Sequence, residues 1–483
     1  MKVSELLNNM DYSGKIHPDI NIENIAYDSR KVDEGSCFVA IRGDSFDGHD
    51  FIEKVSKKGA KLIIVDDNNF ISKESQIIKV ENSRTALSAL SANFFKNPSK
   101  SINMIGITGT NGKTSVNQIV KNILDALDNN CASLGTLGFI LNNEIINTGF
   151  TTPESLELHG MLKLMKDSNI SYAVLEVSSH SLMQYRVEDI DFNVAIFTNL
   201  TQDHLDYHKT MENYFEAKSM LFSKLNKNSC SILNIDDSYG KIIYDRVDSD
   251  KISYGFDDKA DICIKKTNLY FDKTEISINI FNKNFDLTTN LIGDYNVLNI
   301  AASIGALIPF GYTPIEIIDK INNINFLIPG RMELIAQEKN QYIYIDYAHT
   351  PDAYEKIFTT VKRINKDYEI VSLFGCGGDR DKDKRPIMAN IAEKYCDKIF
   401  VTSDNPRNES LETITSDIVN GFNLNKHKII EDRKLAIKCA IDEMGENSIL
   451  FVLGKGRENY QIINNDKIFF SDVDTIKNYI HAN

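Results

Sequence analysis

Residues 102 to 127 constrain the fold more tightly than any other part of this chain. An apolar run, Ile102–Ile107, leads into Gly106-Ile107-Thr108-Gly109-Thr110-Asn111-Gly112-Lys113-Thr114-Ser115. Val116, Ile119, Val120, Ile123, Leu124 and Leu127 then recur at three- and four-residue steps, the period of an amphipathic helix. Strand, glycine-rich turn and helix together form the setting in which a phosphate-binding loop is credible. The N–H groups of such a turn point at an anion, and the helix dipole favours negative charge there. Lys113 would reach terminal phosphates, and the Thr114 or Ser115 hydroxyl would reach Mg²⁺. One position departs from the usual spacing: Ile107 stands five residues before Gly112, where a glycine is expected.

A chain of 483 residues is too long for a single core and implies two to four domains. The formal charge of −14 argues against a nucleic-acid partner. Seven cysteines are scattered without a CxxC pair, which suggests neither a zinc site nor a disulfide framework. Met1-Lys2-Val3-Ser4-Glu5 lacks the apolar stretch of a signal peptide. No run of about 18 apolar residues suggests a membrane span. A cytoplasmic location is the expectation.

Three units are expected. Residues 1–97 alternate short strands (Cys37–Ile41, Leu62–Val65) with helical patterns such as Thr85–Phe95, which reads as a small α/β unit. Asn97-Pro98-Ser99 reads as a linker. Residues 98–329 repeat strand-like runs at 172–175, 194–197 and 230–233 between helical patterns, the signature of a mainly parallel sheet. Between about 251 and 290 the period changes to two, which predicts an antiparallel excursion. Pro329-Gly330 breaks the pattern, and residues 330–483 alternate again, with strands expected at 342–345, 370–374, 398–402 and 449–453.

In open α/β sheets, function gathers at the carboxyl ends of strands. Glu176 ends one strand beside the glycine loop, the position of a carboxylate partner for Mg²⁺. Asn199 to His208 ends the next, with His204, His208, Asp203 and Asp206 crowded together, a pattern suited to metal or phosphate contact. In the third unit, four strand ends carry charged or glycine-rich turns: 346–352, 375–381, 404–407 and 454–458. Together they suggest one edge that binds a charged small molecule.

The ordered set of motifs resembles the Mur ligases, ATP-dependent amide-forming enzymes of bacterial cell-wall precursor synthesis. Within that family it is most similar to the ligases that add the third residue of the peptide stem. The motifs are Asp28-Ser29-Arg30, the loop at 108–114, Thr151-Thr152-Pro153, Glu176 to His180, Asn199 to His208, Ala217-Lys218, Gly293 to Asn296, Gly330-Arg331, Asp346 to Thr350 and Gly375 to Arg380. The family's loop has the spacing seen here, which accounts for Ile107.

The resemblance implies an α/β fold in three domains. A central P-loop, parallel-sheet ATPase domain would be flanked by an N-terminal UDP-binding α/β domain and a C-terminal Rossmann-like domain that takes the amino acid. The implied nucleotide contacts are Thr108, Gly109, Thr110, Asn111, Gly112, Lys113, Thr114, Asn296, Arg331 and Asp346. Ser29, Asp44, Ser45 and Phe46 would hold the UDP-sugar. Thr151, Thr152, Ser178, Gln184 and Arg186 would hold the muramyl-dipeptide of UDP-N-acetylmuramoyl-L-alanyl-D-glutamate. Lys113, Glu176, His204 and Lys218 would carry the catalysis. Thr114, Glu176, His204 and a carbamylated Lys218 would hold Mg²⁺. The resemblance further implies ATP as cosubstrate, a monomer, and a role in peptidoglycan synthesis and hence in cell shape and division.

The implied amino acid is meso-diaminopimelate, at Arg380, Asp404, Asn405, Pro406, Arg407, Gly454 and Glu458. An arginine fork grips a carboxylate with two parallel hydrogen bonds, and diaminopimelate carries a second carboxylate that L-lysine lacks. Two positions depart from the family. Arg457 replaces a histidine and would bring an extra cation to the pocket, and Ser410-Leu411 replaces Asp-Pro. The alternatives are an L-lysine-adding ligase, a folylpolyglutamate synthase-like ligase and a nucleotide-gated binding protein without turnover. His208 and His349 are the candidate bases for the incoming amine.

Overall fold

The computed structural model describes residues 1–43, 46–67, 70, 75–464 and 466–482. The chain is organised around three main sheets, with a short hairpin at Tyr460–Ile463 and Asp466–Phe469.

The first sheet pairs Asn24–Ala26, Ser36–Val39, Leu62–Val65 and Gln76–Lys79 in that order, all parallel. Its middle strands are fully buried, as expected for a parallel sheet covered on both faces. Helix Ser83–Phe94 begins where the Asn82 side chain accepts from the Arg84 N–H at 2.8 Å. It ends at Lys96 and Asn97, both at positive φ, before Pro98.

The central sheet has eleven strands. At its middle, Asn103–Thr108 lies between Tyr172–Glu176 and Val194–Phe197, parallel to both. The strand therefore delivers the glycine loop to the centre of the carboxyl edge, with Glu176 and Thr198 as its flanking neighbours. Helix Lys113–Ala126 follows and buries Val116, Ile119, Val120, Ile123 and Leu124 in the core, the face that the sequence period marked. The antiparallel excursion is present as Ile262–Leu269, Thr274–Ile280 and Lys283–Thr289. A second antiparallel meander, Cys131–Gly135, Gly138–Leu141 and Glu144–Ile146, closes the other edge. The sequence reading left it out because the turn at Thr136 and Leu137 is short and its last strand is exposed, with no apolar period.

The third sheet runs Glu333–Glu338, Gln341–Asp346, Ser448–Leu453, Glu369–Phe374, Lys398–Val401 and His427–Ile429. All neighbours are parallel except the first pair, a hairpin absent from the sequence reading. Crossovers bring the four polar turns to one end of this sheet, facing the carboxyl end of the central one. Among the described residues, no helix is long and apolar enough to cross a membrane.

Candidate active site

The glycine loop is held by backbone contacts. Gly109 has φ +147°, and a Cβ there would lie 1.9 Å from Thr198 Oγ1. Gly112 has φ +88° and caps the helix; a Cβ there would lie 2.7 Å from Asn299 Oδ1. Both positions therefore require glycine. Thr110 N–H donates to the Asn199 carbonyl at 2.8 Å, and Asn111 N–H to Asn199 Oδ1 at 3.0 Å. The buried Thr108 lies within the strand.

Two lysines converge on this loop. Lys113 Nζ donates to the carbonyls of Gly109 and Thr110, both at 2.9 Å. Lys218 Nζ donates to the Gly109 carbonyl at 2.8 Å and lies 4.5 Å from the centroid of the Tyr214 ring. Burial lowers the pKa of both lysines. For Lys218 the second cause is the neighbouring Lys113 charge, and its pKa falls well below the usual lysine range. Burial thus favours the neutral, nucleophilic form of the amine.

Glu176 is buried, and its carboxylate accepts from Thr136 N–H at 2.9 Å and Thr136 Oγ1 at 3.1 Å. Gly135 makes room for it, since a Cβ there would sit 2.2 Å from Glu176 Oε1. Glu176, Lys113, Thr114, His204 and Lys218 line one cavity of about 190 Å³ with Thr151 and Ser178. His204 has φ +53°, and burial pulls its imidazole well below the ordinary histidine value. Asp203 lies 3.5 Å from His204 Nε2, 3.8 Å from His349 Nε2 and 3.5 Å from Lys384 Nζ.

Among the described residues, no group of three or more His, Cys, Asp or Glu side chains is gathered into a ready-made metal site. Mg²⁺ is nonetheless compatible with the donors present. It uses one or two carboxylates and takes its remaining oxygens from phosphates and water. Glu176 has the space and Thr114 the hydroxyl for that arrangement.

Thr152, Gln184 and Arg186 gather beside the Glu176 strand end. Thr152 Oγ1 donates to the Glu176 carbonyl at 2.7 Å, Arg186 Nη1 to the Thr152 carbonyl at 2.7 Å and Arg186 Nη2 to Gln184 Oε1 at 2.6 Å. Ser29 is buried some distance along the chain in the N-terminal sheet domain, its carbonyl accepting from Lys58 Nζ at 2.9 Å. Phe46 is exposed. Asp44 and Ser45 lie outside the described residues.

On the far side of the loop, a second cavity of about 110 Å³ is lined by Asn111, Asn299, Tyr254, Arg331, Asp346 and His349, among others. Arg331 Nη2 donates to Thr114 Oγ1 at 3.1 Å. Asp346 is buried, accepts from Met332 N–H at 2.5 Å and Ala348 N–H at 2.7 Å, and burial raises its pKa. Asn296 does not line this cavity. Its Nδ2 donates to the Ile292 carbonyl at 2.9 Å, ahead of the helix, and its Oδ1 accepts at 3.1 Å from Nδ2 of Asn299, which lines the cavity one turn later.

The third group surrounds Arg407, itself at φ +53°. Arg407 Nη1 donates to the Gly378 carbonyl at 2.8 Å. Its pKa is lowered by burial and then by the nearby charge of Arg380, so two guanidinium groups share one neighbourhood. Asn405 Nδ2 donates to Glu458 Oε2 at 3.0 Å, and the buried Lys455 reaches the same oxygen at 3.2 Å. Gly454 has φ +104° beside Asp404, and the Pro406 carbonyl abuts Gly378. The extra cation expected at Arg457 does not enter the pocket, because its guanidinium is paired with Glu333.

Two buried ion pairs support these turns and were missed. Arg433 pairs with Asp472 at 2.8 Å through two bonds and donates to the carbonyls of Ser403 and Leu453, the residues just before the two turns. Arg385 joins Glu409, Asp417 and the Gly377 carbonyl, and holds the Glu409 carboxyl down at about 2. In sequence each arginine reads as an ordinary helix charge, and nothing there marks it as buried.

Tyr347 joins the second and third groups. Arg331 lies 4.7 Å from the centroid of its ring, and its hydroxyl is 3.5 Å from Glu458 Oε1.

Comparison with known proteins gives a consistent picture. The Mur ligase family, catalytic domain model matches residues 21–95, the Mur ligase middle domain 107–307, and the Mur ligase glutamate ligase domain 330–456. A UDP-N-acetylmuramoyl-L-alanyl-D-glutamate–2,6-diaminopimelate ligase of Clostridium acetobutylicum is 40% identical over 484 residues, covering 99% of each chain. A ligase of the same name from Aquifex aeolicus is 40% identical over 94% of this chain and 93% of its own. A solved structure of a ligase of that name matches with TM-score 0.71 and 27% identity, covering 100% of this chain and 99% of the other.

Proposed function

The chain belongs to the Mur ligase family, and from that premise we propose that it joins meso-diaminopimelate to UDP-N-acetylmuramoyl-L-alanyl-D-glutamate at the expense of ATP. The observation that carries this reading is the bridge at Tyr347. It sets the phosphate-loop side, through Arg331 and Thr114, against a turn that offers two guanidinium groups and a carboxylate. A phosphate donor and a zwitterion with an additional carboxylate fit those two sides.

The D-glutamate γ-carboxylate oxygen attacks the γ-phosphorus of ATP, the bond to the bridging oxygen breaks, and ADP leaves. The amine of diaminopimelate then attacks the carbonyl carbon of the acyl phosphate. The C–O bond breaks, phosphate leaves, and the amine proton passes to a base. Thr108 to Thr114 cradle the phosphates, and Lys113 leaves its loop carbonyls to neutralise charge on the γ-phosphoryl group. Arg331 and Asp346 face the nucleotide, with Asn299 in the place expected for Asn296. Thr151, Thr152, Ser178, Gln184 and Arg186 hold the dipeptide arm, and Ser29 and Phe46 the UDP end. Thr114, Glu176, His204 and a carbamylated Lys218 would hold Mg²⁺, which would supply charge neutralisation at the phosphates.

Burial favours the neutral form of the Lys218 amine, which suits carbamylation: nitrogen adds to CO₂, a proton is lost, and a carboxylate results. Labelled CO₂ would then give a carbamate carbon signal that is absent in Lys218→Ala; a signal common to both proteins would sink the assignment. For the base, His349 is better placed than His208. His208 Nε2 is bonded to Ser179 Oγ at 2.9 Å, whereas His349 bonds the Tyr347 carbonyl through Nδ1 at 2.8 Å and lines both cavities through the rest of its ring. Arg407 and Arg380 favour diaminopimelate over L-lysine by offering cations to its second carboxylate. This is a reaction of cytoplasmic metabolites, and a monomer suffices for it.

ADP release measured with UDP-N-acetylmuramoyl-L-alanyl-D-glutamate and each amino acid in turn tests the proposal. Release that depends on meso-diaminopimelate is expected. Release with L-lysine but not with diaminopimelate would overturn the choice of amino acid.

A further inference from the structure

We infer that the Glu333–Arg457 ion pair is a clasp that positions Glu458 for the incoming amino acid. The inference rests on the proposed function and extends it to two residues outside the ligand contacts. Glu333 is buried, and its Oε2 accepts from the Gly330 N–H at 2.7 Å and from Arg457 Nε at 2.9 Å. Its other oxygen takes Arg457 Nη2. One carboxylate therefore ties the linker that carries Arg331 to the loop that carries Glu458. The two backbones touch: a Cβ on Gly330 would lie 2.8 Å from the Arg457 nitrogen and 3.1 Å from Gly456 Cα.

The two sides of the clasp are anchored unequally. The linker is also fixed by Tyr347 N–H to the Gly330 carbonyl at 2.8 Å and by Met332 N–H to Asp346 at 2.5 Å. The loop's first residue is fixed by Gly454 N–H to the Asp346 carbonyl at 3.0 Å. Its far end has the clasp, the Glu458 N–H bonded to the Lys455 carbonyl at 2.9 Å, and the contacts of the Glu458 carboxylate with Asn405, Lys455, Tyr347 and Tyr460. A bound ammonium competes with Asn405 and Lys455 for that carboxylate. The clasp is a side-chain tether that does not use the Glu458 carboxylate, so ligand binding leaves it intact. Its loss would loosen Glu458 and leave Arg331 in place.

The test uses the full chain and its Arg457→Gln, Arg457→Lys and Arg457→Gln/Glu333→Gln variants, with KM for each of the three substrates and the melting temperature. Arg457→Gln leaves a buried carboxylate without its cation, so the melting temperature falls. In the same variant KM for diaminopimelate rises about three- to tenfold, while KM for ATP and for the UDP-substrate changes less than about twofold. Arg457→Lys restores a charge and recovers part of the affinity. The double variant, with no unpaired charge, recovers the melting temperature but not the KM. A lower melting temperature with unchanged diaminopimelate KM, or an equal rise in all three KM values, would overturn the positioning role. A wild-type chain inactive with every amino acid would instead refute the functional reading on which the clasp depends.

Discussion

The turn at 108–114 and the turn at 404–407 each follow a parallel strand, yet they are built in opposite ways. The first is made of backbone. Its glycines sit where a Cβ would collide with Thr198 or Asn299, and its two lysines are bonded to its own carbonyls. The second is made of side chains, with Arg407, Asn405, Lys455 and Glu458 linked to one another or to nearby carbonyls and braced from below by Arg433–Asp472 and Arg385–Glu409. A backbone cradle recognises phosphate in any nucleotide-driven reaction. A side-chain network can be re-specified one residue at a time. Under the proposed function, the first region carries the chemistry and the second the choice of amino acid.

The largest expected effect lies in the first region. Lys113→Ala removes the one loop side chain that can follow charge onto the transferred phosphoryl group, and it should lower turnover about 10⁴-fold. It should do so equally with every amino acid acceptor. Single-turnover ADP release reads this directly. A Lys113→Ala enzyme within tenfold of wild type would break the division of labour, because the cradle would then be binding without contributing to the chemistry.

Arg407→Ala probes the other region. Its guanidinium already lies near enough to Arg380 for the two charges to repel, so a ligand carboxylate relieves repulsion as well as gaining two hydrogen bonds. The loss in kcat/KM for meso-diaminopimelate should be about 10²-fold, or some 3 kcal/mol. The low activity with L-lysine should move less than about threefold, since lysine presents no second carboxylate. Equal losses with both amino acids would mean that Arg407 shapes the loop and does not select the ligand.

The same contrast explains what was legible in the sequence. The strand, the glycine spacing and the helix at 113–126 could be read directly, because backbone geometry demands glycine and an apolar period. The parallel middle of the central sheet and its antiparallel excursion could be read for the same reason. The meander at 131–146 and the strand Glu333–Glu338 could not, since their strands are short or partly exposed and carry no clean alternation. In the second region the motif Asp404 to Arg407 gained meaning only from resemblance. Arg433 and Arg385 look like any helix arginine, and only the fold shows that each is fully buried against strand ends. Asn299, which lines the cavity and bonds Asn296, was not singled out because one helical turn separates the two and sequence alone does not say which faces the loop.

The smallest effect concerns pH, and it separates the two regions in a different way. The dipeptide motif Thr151–Thr152 leads into helix Ser155–Asp167, whose His159 is fully buried with both ring nitrogens lacking hydrogen-bond partners. Burial holds its imidazole down at about 4, against an ordinary value of 6.5. The unfolded chain therefore takes up a proton before the folded one does. The stability tied to this group is complete above about pH 6.5 and is lost as pH falls towards 4, reaching a deficit of about 2 kcal/mol at pH 5. His204 and His208, on the same side, are depressed for the same reason; the third unit has one such histidine, His349, at the turn that meets the loop, and its turns at 375–381, 404–407 and 454–458 contain none. Acid should thus weaken the phosphate-loop half first. Urea unfolding of wild type and His159→Leu at pH 7 and pH 5 measures the share due to His159. The leucine variant should lose about 2 kcal/mol less between the two pH values, and it should be at least as stable at pH 7 because two unsatisfied nitrogens are gone. Identical pH dependence in the two proteins would place the acid sensitivity elsewhere and remove this distinction between the halves.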